Sequence, residues 1–353
     1  MSISLVENEH MTDDAIKKAA GDCLKSQVLA IVPINQGRNS KVYRLDCRDQ
    51  QYIVKFYVND SRSRLATEFK SLGFLRSNGL NQVPAPIGIN QELHGAFYEY
   101  VEGKTILDAD HHEIDQAIAF LKSLKGLATA PQAASFSPAA EAFFSLEEII
   151  GNVIMRLKRF DVADQIMDHS ILQAYLREEF IPLLDEVMTW SRRYLQEHHV
   201  SITDRLDQAH RTLSPSDFGF HNALRTMDGT VVFLDFEYFG WDDPAKMASD
   251  FLWHPHEAMH LSSTLKEQFY QGMENIFGED ENFNIRFKAF FPLFGLKWCL
   301  ILLNEFVSQD AKRRDFAQTI IQDKSTIRQK QLAKAQALSQ QIKTTFKDFP
   351  YGN

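Results

Sequence analysis

Between Gln27 and Val58 the chain repeats one texture. "QVLAIVPI", "SKVYRLDC" and "QYIVKFYV" are rich in Val, Ile and Tyr and are separated by turn residues, which predicts consecutive antiparallel strands. Ahead of them "TDDAIKKAAGDCLKSQ" opens on cap-type residues and predicts a helix. Behind them "SRLATEFKSLGFLRSNGL" sets Leu65, Phe69, Leu72 and Leu75 at helical spacing, with Gly79 as the stop. "APIGINQ" and "GAFYEYVEG" return to strand texture. Past Gly103 the pattern changes. "HHEIDQAIAFLKSLKGLATA" reads as a helix, "PQAASFSPAA" as a connector, and helical periodicity then runs to about His199. A short hairpin, "RTMDGTVVFLDFEYF", turns at Asp228-Gly229, and from about Asp250 nearly everything reads helical. The expectation is an α+β protein in two parts. Residues 1–102 form a small antiparallel-sheet lobe with a leading helix, and residues 103–353 form a larger, mainly helical lobe.

Composition narrows this picture. The 353 residues suffice for about two domains, and 44% hydrophobic with 24% charged residues suits a globular chain with a sizeable core. A formal net charge of −9 argues against a basic nucleic-acid binder and suits a neutral or cationic small partner. Cys23, Cys47 and Cys299 are scattered, with no C-x-x-C spacing, as in a reducing compartment. The polar start "MSISLVENEHMTDD" lacks a signal pattern. The greasiest run, Phe290–Phe306, is broken by Lys297 and closed by Glu305, so a buried helix is expected rather than a membrane span. A cytoplasmic protein is the expectation. The basic-tinged stretch from Asp323 to Lys347 reads as a final helix packing on the larger lobe.

The candidate chemistry centres on "LSPSDFGFHNAL". Asp217 and Asn222 stand five positions apart with Gly219 between them, and Asp235 follows eighteen residues later, after a strand and an Asp-Gly turn. Phosphoryl transfer needs phosphates held, metal ions placed and an acceptor hydroxyl oriented in line. Asp217 is placed to orient or accept the hydroxyl proton, and Asn222 with Asp235 offers the oxygen ligands that Mg²⁺ prefers. Earlier in the chain, Lys55 sits inside a strand where it suits ATP phosphates. Glu68, the only acid in its helix, is placed to fix that lysine by an ion pair. Gly37 supplies a turn from which the amides of Arg38 to Ser40 would face a phosphate. The C=O of Glu99 and the N–H of Val101 mark the place for an adenine edge. Taken singly, each of these is an ordinary cap, turn or surface residue; the ordered set is what points to chemistry.

With those residues in place, the chain resembles the aminoglycoside phosphotransferase and choline/ethanolamine kinase family over about Leu29 to Pro255, most clearly in "SDFGFHNAL" and "FLDFEYFGWDDPAKMASDF". The resemblance implies a bilobal, protein-kinase-like fold with ATP between the lobes. It also implies Mg²⁺ and a small-molecule hydroxyl acceptor, with Asp217 as base, Asn222 and Asp235 as metal ligands, and Lys55 on the ATP phosphates. Pro215 stands where the family has histidine, and Met247 where it has an aspartate. Asp250 is expected to take over that aspartate's role of bonding the catalytic-loop backbone. These departures leave open a nucleotide-binding pseudokinase. Glu237, Asp242, Asp243 and Asp250, with Trp241 and Tyr238 as a cation–π wall, are expected to draw a cationic acceptor; a sugar or other polyol is the alternative. A competing motif, "HEAMH" from His256 to His260, fits the zinc-hydrolase signature H-E-x-x-H, with surface or core-edge histidines as the plainer reading.

Overall fold

The computed structural model describes residues 12–34, 40–58, 63–161, 169–307 and 324–348. Their contacts divide into two compact units, one ending at Glu102 and one beginning at Gly103.

In the first unit, helix α1 (Asp13–Leu24) is capped by Thr12, whose hydroxyl accepts from Ala15 N–H at 3.2 Å. Five strands follow in the order β1-β2-β3-β5-β4, all antiparallel: β1 (Val28–Ile34), β2 (Ser40–Cys47), β3 (Gln51–Tyr57), β4 (Pro86–Asn90) and β5 (Gly95–Glu99). Helix α2 (Arg64–Ser77) lies between β3 and β4 in sequence. Side chains alternate across a strand, and β3 uses both faces. Tyr52, Val54 and Phe56 pack with Ile16, Ala19 and Ala20 of α1, Leu45 and Phe97 in one apolar cluster. Lys55 and Tyr57 point the other way and meet α2.

The second unit opens with β6 (Lys104–Thr105) and α3 (His111–Leu127), whose N-terminus carries a reciprocal capping box between Asp110 and Glu113. Helices α4 (Leu146–Lys158), α5 (His169–Tyr175) and α6 (Ile181–Glu197) follow. Residues Leu176–Phe180, ahead of Pro182 in the first turn of α6, adopt a π-helical turn, which fits a proline that has no N–H for the ordinary ladder. Short strands β7 (Thr212–Ser214), β8 (Ala223–Arg225), β9 (Val231–Phe233) and β10 (Gly240–Asp242) form two small sheets, β10-β7 and β6-β8-β9. The Gln116 amide of α3 bonds both sides of the β8–β9 turn, donating to Gly229 O at 2.9 Å and accepting from Val231 N at 2.8 Å.

Helices α7 (Pro244–Trp253), α8 (Ser263–Phe277), α9 (Phe283–Leu302) and α10 (Lys324–Thr345) complete the unit. α9 is the central one, packed by α4, α6, α7 and α10. It begins a stretch, Phe283–Phe306, that is long and apolar enough to cross a membrane, but 78% of its apolar window is buried inside the protein. It is a core helix, as the sequence suggested. Leu332, Ala335 and Ile342 of α10 are buried, so that helix packs rather than standing free.

Two glycines test the packing. A Cβ on Gly240 would collide with backbone atoms, the Ser137 carbonyl oxygen and Ala139 N (2.6 Å), where β10 bonds the chain at Ser137 and Ala139. A Cβ on Gly151 of α4 would meet nothing within 4 Å. Gly240→Ala should therefore destabilise by about 2 kcal/mol or more, since backbone cannot step aside as a side chain can. Gly151→Ala should stabilise by about 0.5–1 kcal/mol. Urea unfolding of the two variants checks both signs; equal midpoints would contradict the packing at β10.

Candidate active site

In the first unit β3 projects Lys55 toward α2, where its Nζ lies 2.7 Å from Glu68 Oε2. Both side chains are buried. The Tyr57 hydroxyl donates to the same oxygen at 2.8 Å and meets the Tyr98 hydroxyl at 2.7 Å. Burial, with Glu68 and Tyr98 close by, pushes the Tyr57 phenol well above its ordinary range, so it stays a donor. A buried lysine needs such a partner. Here the partner lies on the element that follows its strand, and a tyrosine hydroxyl fixes the carboxylate.

Ser40 opens β2 opposite Tyr57 and is buried. Gly37 and Arg38 lie outside the described residues. Glu99 ends β5, its N–H donating to Ala85 O at 2.9 Å while its carboxylate accepts from Ala85 N at 3.0 Å. Val101 lies beyond the strand and in no regular element.

In the second unit the catalytic-loop candidate runs from β7 to β8. Phe218, next to Asp217, is anchored in the core beside Phe120 of α3, Phe233 of β9 and Phe251 of α7, with ring centroids 5.7, 4.7 and 5.7 Å away. Ser216 takes a positive φ of 70°, and its hydroxyl donates to Ala140 O at 2.6 Å. Asn222 donates its side-chain Nδ2 to the Asp217 carbonyl at 3.0 Å, which consumes the donor end of the amide and leaves Oδ1 as the end a ligand can use. The Asn222 carbonyl accepts from Leu234 N at 2.8 Å, so the residue before Asp235 is tied to the loop. Asp235 follows with φ 64°, a conformation costly for a residue with a Cβ. One carboxylate and one amide oxygen beside β9 form a hard donor set, which fits Mg²⁺.

Asp217 Oδ1 lies 3.1 Å from His221 Nε2 and 3.6 Å from His254 Nε2. Burial works against its charged form, but His221 and its hydrogen bond, with His254 and Lys246 nearby, outweigh that. The carboxyl is held well below the usual carboxylate range. Burial and the adjacent His221 ring push His254 down to about 3, so it is neutral at physiological pH. The two imidazoles stack nearly parallel, 3.7 Å between centroids and 8° between planes. Sequence reasoning passed over both rings; the only signal was a histidine four residues after the aspartate and another just before Pro255.

Beneath the loop lie six charged side chains, none more than 6% exposed: Asp242, Asp243, Asp250, Lys246, Arg286 and Lys297. Lys246 Nζ is 2.8 Å from Asp242 and 3.2 Å from Asp250, and it approaches Ser216 Oγ at 3.5 Å. Burial lifts Asp242 to about 6, with Asp250 and Asp243 adding to the effect and Lys246 opposing it. Asp243 caps α7 through Ala245 N and takes Arg286 at 3.1 Å. Asp250 accepts from Lys297 (2.9 Å) and from Trp298 Nε1 (2.9 Å). This corrects two expectations. Asp250 bonds side chains of α7 and α9, not the loop backbone. Asp242, Asp243 and Asp250 are already matched by internal bases, so they hold no charge in reserve for a cationic acceptor. Trp241 is buried, with its Nε1 on Ala133 O at 3.1 Å, so it forms no open aromatic wall.

The "HEAMH" stretch also departs from its motif. Glu257–Met259 is a single 3-10 turn, with His256 as its N-cap, so the two histidines do not share an α-helical face. His256 Nδ1 accepts from Ala258 N at 3.1 Å, and Glu257 and His260 are exposed. Nor do His221 and His254 fit one metal with Asp217, since parallel stacked rings cannot both aim an in-plane lone pair at a single ion. The zinc-hydrolase reading has no geometric support here.

No curated protein matches the chain in sequence. Among solved structures, the spectinomycin phosphotransferase APH(9)-Ia, in complex with ADP and spectinomycin, superposes with a TM-score of 0.61 at 10% identity, covering 94% of this chain and 100% of that one. A choline/ethanolamine kinase family protein from Mesorhizobium loti gives 0.59 at 15% identity, covering 93% and 94%. The choline kinase LicA from Streptococcus pneumoniae gives 0.54 at 16%, covering 92% and 98%. At such identities these likenesses establish a shared fold, the protein-kinase-like one. A model of the phosphotransferase enzyme family matches residues 30–275, well over half of the chain, and the chain therefore belongs to that family.

Proposed function

We propose that the protein transfers the γ-phosphoryl group of ATP, with Mg²⁺, to a hydroxyl group of a small molecule such as an amino alcohol, a sugar or an aminoglycoside-like compound. The observation that carries this reading is the Asn222 side chain. Its amide nitrogen is spent on the Asp217 carbonyl, which leaves its oxygen as the end open to a ligand. Its backbone carbonyl ties the loop to Leu234, the residue before Asp235, so the candidate base and both metal ligands belong to one hydrogen-bonded loop and hairpin.

In this account Lys55, steadied by Glu68 and Tyr57, neutralises ATP phosphate oxygens. Asn222 Oδ1 and the Asp235 carboxylate would hold the cation, which would supply charge to spread over the phosphates. Asp217 accepts a hydrogen bond from the acceptor hydroxyl and points its oxygen at phosphorus. As the new O–P bond forms, the bond from γ-phosphorus to the β,γ-bridging oxygen breaks, ADP departs and the hydroxyl proton passes to Asp217. Phosphoryl transfer through a loose transition state asks more for position than for a strong base, which agrees with a carboxylate held this acidic. The matched charges of Asp242, Asp243 and Asp250 mean that selection of a cationic acceptor would have to rest on other residues.

ADP release from Mg·ATP against a panel of choline, ethanolamine, sugars and aminoglycosides tests the reading. Asp217→Asn should lower transfer by about 10²-fold or more while ATP affinity holds; full activity in that variant contradicts the role. Asp235→Asn should raise the Mg²⁺ concentration needed for half-maximal rate, and an unchanged magnesium titration would remove Asp235 from the metal site. Glu68→Gln should raise the KM for ATP by freeing Lys55, with the acceptor KM unmoved; a shift confined to the acceptor KM would contradict it.

A further inference from the structure

We propose that His221 and His254 are positioning residues. The Nε2–H of His221 holds Oδ1 of Asp217, and His254, stacked flat on that ring, keeps it in place, so that Oδ2 is the oxygen presented to the acceptor. This rests on the phosphotransfer reading of Asp217 and goes beyond it by naming what aims the carboxylate.

The tautomers follow from the hydrogen bonds. His254 Nδ1 accepts from the backbone N–H of His256 at 3.3 Å; its proton is then on Nε2, the atom facing Asp217 Oδ1 at 3.6 Å. His221 Nε2 lies 3.1 Å from the same oxygen, which an ionised carboxylate accepts only from an N–H. Its Nδ1 is buried without a hydrogen-bond partner among the described residues. His221 Nε2 is thus the hydrogen-bond donor to Asp217 Oδ1, and His254 Nε2 lies just beyond hydrogen-bond reach of the same oxygen.

Their own positions are fixed. The His221 side chain is 7% exposed and lies flat against His254. His254 packs T-shaped against Trp298, with centroids 4.5 Å apart, and Trp298 is tied to Asp250 at 2.9 Å. From the same 254–260 segment, Met259 Sδ accepts the Phe220 N–H at 3.1 Å. Gly219 is what lets these groups close in, since a Cβ there would lie 2.7 Å from His221 Nδ1 and 2.8 Å from Met259 Sδ. The stretch that imitates a zinc motif therefore adjoins the segment that braces the loop.

The test has two readouts on the full-length protein. In a nitrogen-15 histidine spectrum, with His221 and His254 assigned by their disappearance in single variants, both rings should carry the proton on Nε2. Asp217→Asn should shift both Nε2 resonances. A His221 ring protonated on Nδ1 alone, or Nε2 signals that ignore Asp217→Asn, overturns the proposal. The second readout is ADP release from Mg·ATP with water as acceptor. His221→Phe, which keeps the stacking but has no N–H, should be slower by about 100-fold with unchanged ATP affinity. His221→Gln, whose amide nitrogen reaches the place of Nε2, should recover most of that loss. Wild-type release by His221→Phe, or a loss matched by weakened ATP binding and not relieved by glutamine, overturns it. Wild-type release by Asp217→Asn is a separate outcome, because it removes the phosphotransfer role of Asp217 itself, and the tautomer result then stands alone.

Discussion

Six charged side chains are folded almost entirely out of water around α7, and their signs balance. Taking such groups out of water is costly, and removing one partner of a buried pair leaves an uncompensated charge that costs about 3–5 kcal/mol. The arrangement therefore dictates where its neighbours go. Asp243 must cap α7 and face Arg286 of α9, Asp250 must face Lys297, and Lys246 must sit between Asp242 and Asp250. Since β10 pairs with β7, and β7 leads into the catalytic loop, that loop inherits its starting point from this charge balance. Ser216 is drawn toward Lys246 and Ala140, and the chain turns through a positive φ just before Asp217.

From that base the site is assembled mostly by the backbone. Asn222 serves at once as a clasp on the Asp217 carbonyl, a backbone partner of Leu234 and a presented oxygen. Strained conformations at Ser216 and Asp235, of a kind that costs about 1–3 kcal/mol each, flank the residues assigned to chemistry. The aromatic core beside the loop, with Phe120, Phe218, Phe233 and Phe251 in contact, is the packing against which that strain is held. In the first unit the same economy holds on a smaller scale, since the buried lysine of β3 is tolerated because α2 supplies a carboxylate 2.7 Å away.

Much of this was legible in the sequence because it is local. Alternation along "QYIVKFYV" places Lys55 opposite the face packed on α1, and the lone acid of the next helix is its partner. The Asp-Gly turn and its flanking Val-Val-Phe gave the hairpin and so the setting of Asp235. What was not legible depended on long-range pairing. Asp242, Asp243 and Asp250 looked like an acidic cluster because they are close in sequence. Arg286 and Lys297, which match two of them, lie more than forty residues further on. His221 and His254 meet only when α7 folds against the loop, so their spacing carried no recognisable signal. The histidine pair that did carry a signal, in "HEAMH", failed because a 3-10 turn replaces the helix its spacing assumes.

The most direct test of the central claim, that Asp217, Asn222 and Asp235 form a working phosphotransfer centre, is a crystal structure with Mg²⁺ and the non-hydrolysable nucleotide AMP-PNP. The account predicts a cation at about 2.1 Å from Asn222 Oδ1 and from an Asp235 oxygen. Asp217 Oδ1 should remain on His221, with Oδ2 turned toward the γ-phosphate. Nucleotide bound with its metal touching neither Asn222 nor Asp235 would contradict it.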